Sequence, residues 1–288
     1  MIYKTFIFYC SPAGSTLHVA KVIGRKLTGF GRQVTVFELG KKELQLSEVL
    51  QQIAETEDRV CVFVGSPVYA AHALPLVLDF ISKLPLRRQA FAVPFITWGG
   101  ATSGLALAEI GDALREREYS LVGAGRVVAA HSLMWELETP VGKGHPNSTD
   151  DDVIENLVTD IDHNLQQPEP ELLSRQVLHY QPEAVANEMR KLSLEVARGI
   201  LPQRVVNEDI CNECGVCVEQ CPVAALTLNP YPVYAKHCIL CFNCMRWCPE
   251  NAISADLSTI HKRVLERAEK FQEKPLSEFY IPDTGDER

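Results

Sequence analysis

The sequence predicts two domains: an α/β domain built on a doubly wound, parallel, five-stranded sheet of strand order 2-1-3-4-5, and a small α+β domain behind it. Three observations predict this. The chain has 288 residues, close to twice the usual domain length of roughly 150. Apolar strand-like runs alternate with helical patterns until about residue 165. Eight of the ten cysteines then fall between Cys211 and Cys248, a change of composition that marks a separate unit.

The strand-like runs are "IYKTFIFY" at 2–9, "QVTVFEL" at 33–39, "RVCVFVG" at 59–65, "AFAVPFITW" at 90–98 and "YSLVGAGRVVAA" at 119–130. Helical patterns follow near 15–28, 43–56, 73–83, 103–117 and 150–166. Strict strand–helix alternation implies parallel neighbours joined by crossover helices. Continuous apolar strands such as "VCVFVG" fit a sheet covered on both faces. In such a sheet the ligand sits beyond the carboxyl ends of the strands. This domain is assigned to residues 1–167. Prolines 168, 170 and 182 then mark a linker, 168–203, with one helix near 183–199. The second domain takes 204–256. A charged segment, "STIHKRVLERAEKFQEKPL", reads as a solvent-exposed helix packed loosely on a neighbour, and with a polar tail it fills 257–288; the tail is given no function.

Composition narrows the function classes. With 46% hydrophobic and 23% charged residues and no apolar run of membrane-spanning length, the chain reads as a soluble globular protein. A net charge of -9 excludes sequence-independent nucleic-acid binding, which needs Lys and Arg to neutralise phosphates. It favours a basic protein partner. No basic leader precedes the short first apolar stretch, so a cytoplasmic protein is expected. Cys10 and Cys61 lie in or beside strand patterns and read as small buried hydrophobes.

The other eight cysteines spell C-x2-C-x2-C-x3-C-P twice, "CNECGVCVEQCP" from Cys211 and "CILCFNCMRWCP" from Cys238, 27 residues apart. Thiolates select zinc or iron–sulfur clusters. Structural zinc sites pair C-x2-4-C with a second pair well downstream, whereas three cysteines within seven residues can wrap one face of a cubane. The fourth, before proline, ligates the other cluster. One [4Fe-4S] cluster is thus assigned to Cys211, Cys214, Cys217 and Cys248, and a second to Cys238, Cys241, Cys244 and Cys221; zinc is the alternative. Residues 204–256 resemble a bacterial two-cluster ferredoxin, with all eight ligand positions matched.

The stretch "CSPAGSTLHVA" links the first strand to the first helix, where unpaired N–H groups and the positive helix end favour an anion. It has no Lys or Arg. Gly14 permits close approach, and Ser11, Ser15 and Thr16 offer hydroxyls. No G-x-G-x-x-G and no G-K-[ST] occurs here, which excludes a dinucleotide fingerprint and a P-loop. The segment resembles the phosphate loop of flavodoxins, with Ala13 where a hydroxyl residue is usual. Two more loops at the same edge, "GSPVYAAHALP" and "TWGGATSGLAL", each carry an aromatic residue, Tyr69 and Trp98, beside small residues.

Together these loops resemble flavodoxin–ferredoxin fusion proteins of anaerobes. The resemblance implies an FMN site at Ser11, Ala13, Gly14, Ser15, Thr16, Pro67, Val68, Tyr69, Thr97, Trp98, Gly99 and Gly100, alongside two [4Fe-4S] clusters. His18 is expected to face solvent, and His72 is a candidate proton donor to reduced flavin. The long segment 131–150, with His131, Trp135 and His145, is read as a lid over the flavin or a partner dock. The expected function is low-potential electron transfer between the clusters, FMN and a redox partner, such as a ferredoxin, flavodoxin or oxidoreductase. The alternatives are an FMN-dependent reductase that uses the clusters as an internal wire, and an iron–sulfur redox or oxygen sensor.

Overall fold

The structure, a computed structural model, describes residues 3–40 and 43–282; Ile2, the first residue of the expected first strand, and residues 283–288 of the tail lie outside them. The first half runs β1 (Tyr3–Tyr9), α1 (Ser15–Gly29), β2 (Gln33–Glu38), α2 (Glu43–Glu55), β3 (Arg59–Tyr69), β4 (His72–Ala73), α3 (Pro75–Lys83), β5 (Ala90–Trp98), α4 (Ala106–Glu116), β6 (Ser120–Leu121), β7 (Ala124–Val128) and α5 (Ser148–Leu165). The strands β2-β1-β3-β5-β7 lie side by side, all parallel. This is the expected 2-1-3-4-5 order.

Alternation along the strands explains the two covered faces. Phe6 and Phe8 of β1 and Val60, Val62 and Val64 of β3 enter one core with Ile53, Phe80 and Leu114 from the helices. Ile7, Cys61 and Phe63 enter the other with Val19, Ile23 and Ile161. Cys10 and Cys61 are fully buried in these cores, as their strand context implies. The fifth predicted strand is interrupted between β6 and β7. There α5 presses so closely that a Cβ on Gly123 would stand 2.9 Å from Ile161.

The linker departs from the expected single helix. It forms α6 (Arg175–Leu178), α7 (Glu183–Met189) and α8 (Leu194–Ile200). Ser193 breaks the run by starting a new helix, its hydroxyl accepting the Val196 N–H at 3.1 Å.

The cysteine-rich unit comprises β8 (Val205–Val206), α9 (Val216–Glu219), β9 (Leu226–Leu228), β10 (Pro232–Tyr234), α10 (Asn243–Arg246) and β11 (Ile253–Ser254). β9 pairs with β10, and β8 closes on β11. The duplication read from the cysteine spacing extends to the backbone. Left-handed residues recur 27 positions apart, at Glu213 and Leu240, Gly215 and Phe242, Ala224 and Asn251. Such conformations are costly for non-glycine residues, so their recurrence marks a shared loop geometry.

The C-terminal segment is where expectation and structure differ most. After α11 (Ser258–Phe271), β12 (Glu278–Tyr280) joins the large sheet antiparallel to β7 as a sixth edge strand. Its clamp is Arg126, 3% exposed, whose guanidinium binds Glu273 and, at 2.8 Å, Glu278. A segment read as a polar tail thus completes the sheet, because its acids neutralise a buried cation 147 and 152 residues away. Among the described residues no helix is long and apolar enough to cross a membrane.

Candidate functional site: a cleft beside a cysteine loop

At the carboxyl ends of β1, β3 and β5 a cleft of about 280 Å³ opens. Its floor holds Ala13, Ser15 and Thr16 from the first loop, Pro67, Val68 and Tyr69 from β3, and Thr97, Trp98 and Gly99 from β5. These are nine of the twelve residues named from sequence. Of the other three, Ser11 turns beneath the helix, where its hydroxyl accepts the Leu17 N–H at 2.9 Å. As an acceptor there, it keeps its own O–H to donate. Gly14 sits at φ 89 with open space around a would-be Cβ, which leaves the loop backbone accessible. Gly100 is spent on packing: a Cβ there would meet Val141 at 2.7 Å.

Thr16 and Thr97 share a hydrogen bond of 2.7 Å, tying the first loop to β5. One hydroxyl donates to the other, so one O–H proton of the pair is left for a ligand. The first-turn N–H groups of Ser15 and Thr16 lack intrahelical acceptors by helix geometry. The "GSPVYAAHALP" loop at the end of β3 is a tight hairpin in which Tyr69 pairs with His72 across Ala70 and Ala71, both left-handed. It is locked by Leu105, whose N–H donates to the Ala71 carbonyl at 2.7 Å. The Tyr69 hydroxyl is buried with no hydrogen-bond partner; Ser132 is near it but outside bonding geometry. Burial pushes this phenol well above its usual range, so it remains a donor in want of an acceptor.

Two sequence assignments need correction. Trp98 is 1% exposed, and its indole N–H donates to the Leu276 carbonyl at 2.9 Å. It therefore offers no open face for a flat ring and serves to seat the C-terminal segment. His72 does not line the cleft. One ring nitrogen lies 2.5 Å from Glu109 and the other 3.0 Å from the Met189 carbonyl, so no nitrogen remains for a ligand. The Glu109 hydrogen bond raises its pKa, against the opposing effect of burial. A raised folded pKa contributes stability that is full below the unfolded value of 6.5 and is lost as pH rises through the folded value. The destabilisation caused by His72→Gln should therefore be largest near about pH 5.5 and shrink toward about pH 8.5. Urea unfolding of both proteins across this range checks it, and a pH-independent difference would sink it.

Sequence did not reveal the cleft's other walls. One is α8, with Val196, Ala197 and Ile200; another is α11, with Ile260, Val264, Arg263 and Arg267. The helix read as loosely packed thus borders the site. Burial lowers the Arg267 pKa, and among the described residues it makes no ion pair. His131 also lines the cleft. Burial, helped by His261, lowers its pKa to about 4. Its Nδ1 accepts the Leu133 N–H at 3.4 Å, which leaves the proton on Nε2.

The segment 131–150 docks on the chain itself. Leu133 and Trp135 pack against the core of the cysteine-rich unit, and His261 of α11 donates to the Leu133 carbonyl at 2.8 Å. His145 pairs with Asp150 at 2.6 Å. His18, expected in solvent, is 40% exposed and lies 2.6 Å from Asp151.

None of the ten cysteines forms a disulfide. Cys211, Cys214, Cys217 and Cys248 line one small cavity of about 20 Å³, bringing the swapped fourth cysteine to the first loop. Cys238, Cys241, Cys244 and Cys221 are all buried, and Cys241 senses the charge of the other three. Burial pushes the Cys241 thiol up to about 12. Among the described residues no three His, Cys, Asp or Glu side chains are gathered around a single-ion site. The Cys221 sulfur accepts the Ala225 N–H at 3.1 Å and Cys248 the Ala252 N–H at 3.3 Å, the same bond in each repeat.

The second loop touches the cleft directly. Leu240 lines it, Ile239 and Cys241 join the sheet's core, and Asn243 donates to the Pro12 carbonyl at 2.6 Å, in the middle of the loop between β1 and α1. On the opposite side the turn after β2 rests on Pro222, whose carbonyl would stand 2.2 Å from a Cβ on Gly40.

Residues 204–227 match the model of the 4Fe-4S binding domain family. No curated protein matches the chain. Among solved structures, the chain is similar to an archaeal flavodoxin (19% identity over 57% of this chain and 99% of that one, TM-score 0.43). It is also similar to oxidised flavodoxin 2 from Bacillus cereus (18%, 56% and 98%, TM-score 0.42). A third similarity is to rubredoxin oxygen:oxidoreductase from Desulfovibrio gigas, at 20% identity and a TM-score of 0.44. It covers 57% of this chain but only 36% of that one.

Proposed function

We propose that this chain, a flavodoxin-like domain fused to a ferredoxin-type domain, is an iron–sulfur flavoprotein that binds FMN in the cleft and a [4Fe-4S] cluster at each cysteine loop, and exchanges low-potential electrons with a partner protein. The observation that carries the reading is the direct seating of the Cys238–Cys244 loop on the cleft, through Leu240 and through Asn243 to Pro12. Two one-electron centres beside a flavin allow conversion between one-electron and two-electron traffic.

The residues present fit these groups. A phosphate at the first loop would meet the Ser15 and Thr16 amides, the Ser11 hydroxyl and the spare hydroxyl proton of the Thr16–Thr97 pair, with no cation. The Nε2–H of His131 would supply a donor to the polar edge of a ring. Apolar Val68, Leu133 and Leu240, which line the cleft, would shield such a ring from water. Ala13 lines the cleft without a hydroxyl. Ala13→Thr should add one hydrogen bond to the phosphate, worth about 1 kcal/mol and about a fivefold tighter Kd. Fluorescence titration of the apoprotein with FMN checks this; unchanged or weaker binding would refute the hydroxyl accounting.

Anaerobic purification with iron, sulfide and flavin analysis tests the whole reading, with about eight irons and one FMN per chain expected from two cubanes and one flavin site. Zinc without sulfide, or a folded chain that does not take up FMN, would overturn it. Reoxidation by ferredoxin or flavodoxin, and not by small metabolites, is expected of an electron carrier. One observation favours a second reading, a reductase of a small organic anion: the arginines Arg263 and Arg267 stand on an otherwise apolar wall of the cleft. Turnover with a small carboxylate in the absence of a carrier protein would decide for it.

A further inference from the structure

The two cysteine loops are copies in spacing and backbone but not in charge. Arg204 lies against the second loop, its guanidinium 3.4 Å from the Cys238 sulfur and 3.9 Å from that of Cys244. It is held there by the rings of Tyr234, at 3.9 Å, and Phe242, at 5.3 Å, and among the described residues it has no carboxylate partner. Arg198 adds a second cation, donating to the Cys238 carbonyl at 2.9 Å. The repeat interval of 27 makes Tyr231 the counterpart of Arg204, since each directly precedes its strand, β10 or β8. Around the first loop the charges are acidic. Glu213 and Glu250 line its cavity, and Tyr231 senses Glu208, Glu213 and Asp209 together with Cys211. No Lys, Arg or His lines that cavity.

Resting on the proposed reading that each loop holds a cubane, we infer that Arg204 poises the centre beside the cleft at a higher reduction potential than the outer one. An electron delivered by a low-potential one-electron donor protein then passes inward, the outer centre being reoxidised as the inner one is reduced. Reduction adds a negative charge. Net charge, hydrogen bonds to sulfur and solvent exposure set the potential of such centres. Acids at the outer loop oppose reduction there, and a guanidinium on two thiolates favours it at the inner loop. Burial acts the other way: Cys238, Cys241 and Cys244 are buried, while Cys214 is exposed, and a low-dielectric site disfavours added charge. The same low dielectric strengthens the stacked guanidinium at short range, so Arg204 outweighs the burial. Arg204 therefore acts as a tuning residue.

The test is a reductive titration of the anaerobically purified holoprotein, followed by EPR. Wild-type protein should reduce in two separate waves. In Arg204→Met the higher wave should shift down to meet or pass the lower, and Arg204→Lys should retain part of the separation. Should Arg204→Met lose iron, Glu213→Gln combined with Glu250→Gln probes the same asymmetry from the outer side and should raise the lower wave. About eight irons with coincident waves in the wild type, or waves that no variant moves, would overturn the poise alone. About four irons would overturn the two-centre reading and the poise with it.

Discussion

Replacing Glu273 by alanine is expected to cost the chain about 3 kcal/mol of stability, the usual scale for breaking one side of a buried ion pair. Arg126 is 3% exposed and, among the described residues, would keep Glu278, itself 33% exposed, as its one carboxylate partner, beside the neutral Ser103 hydroxyl at 3.3 Å. The same carboxylate accepts from the Ser103 N–H at 2.9 Å, from Thr102 at 3.2 Å and from Gln181 at 3.3 Å. Its loss should therefore loosen residues 101–104, which adjoin the cleft, and weaken FMN binding several-fold along with stability. Urea unfolding and FMN titration of the same variant measure the two effects. Destabilisation near zero would show that Arg126 finds water or Glu278 sufficient. Arg126→Leu with Glu273→Leu should recover part of the loss, because two apolar groups leave no charge unpaired.

A second large effect is expected from Gly40→Val. Gly40 has φ +103, which L side chains rarely adopt, and its Cβ would stand 2.2 Å from the Pro222 carbonyl oxygen. Strain and overpacking each cost about 1–3 kcal/mol, and backbone on both sides leaves little room to relax. The cysteine-rich unit should lift from the turn after β2, taking Leu240 from the cleft and Asn243 from the Pro12 carbonyl. Faster protease cleavage within the connecting helices, 168–203, and two separate thermal transitions in place of one would report this. Wild-type cleavage kinetics and a single transition would mean that the contact at Pro222 is dispensable.

Much of the α/β architecture was legible because its signals are local. Phe6, Phe8, Val60, Val62 and Val64 enter one core and Ile7, Cys61 and Phe63 the other, and period-two burial shows in any window of a strand. The first loop was legible because its helix start, glycine and hydroxyls fall within six residues. What failed was orientation. Trp98 and Tyr69 are both aromatic residues at strand ends, and nothing nearby in sequence tells which faces the cleft. Leu276, 178 positions away, decides it for Trp98. His72 looked available until Met189 and Glu109 claimed both its nitrogens. Arg204 carried no signal, being one arginine seven residues before a cysteine.

The sequence by itself determined the strand order, the two fourfold sets of cysteines and the glycine- and hydroxyl-bearing loop after β1, because periodicity and spacing act between residues a few positions apart. Tertiary structure decided how those parts face one another. Asn243 reaches Pro12 across 231 positions, Glu273 neutralises Arg126, and α8 and α11 wall the cleft. Each of these contacts is a pairing of buried polar or apolar groups from distant segments, and such pairing leaves no periodic trace along the chain.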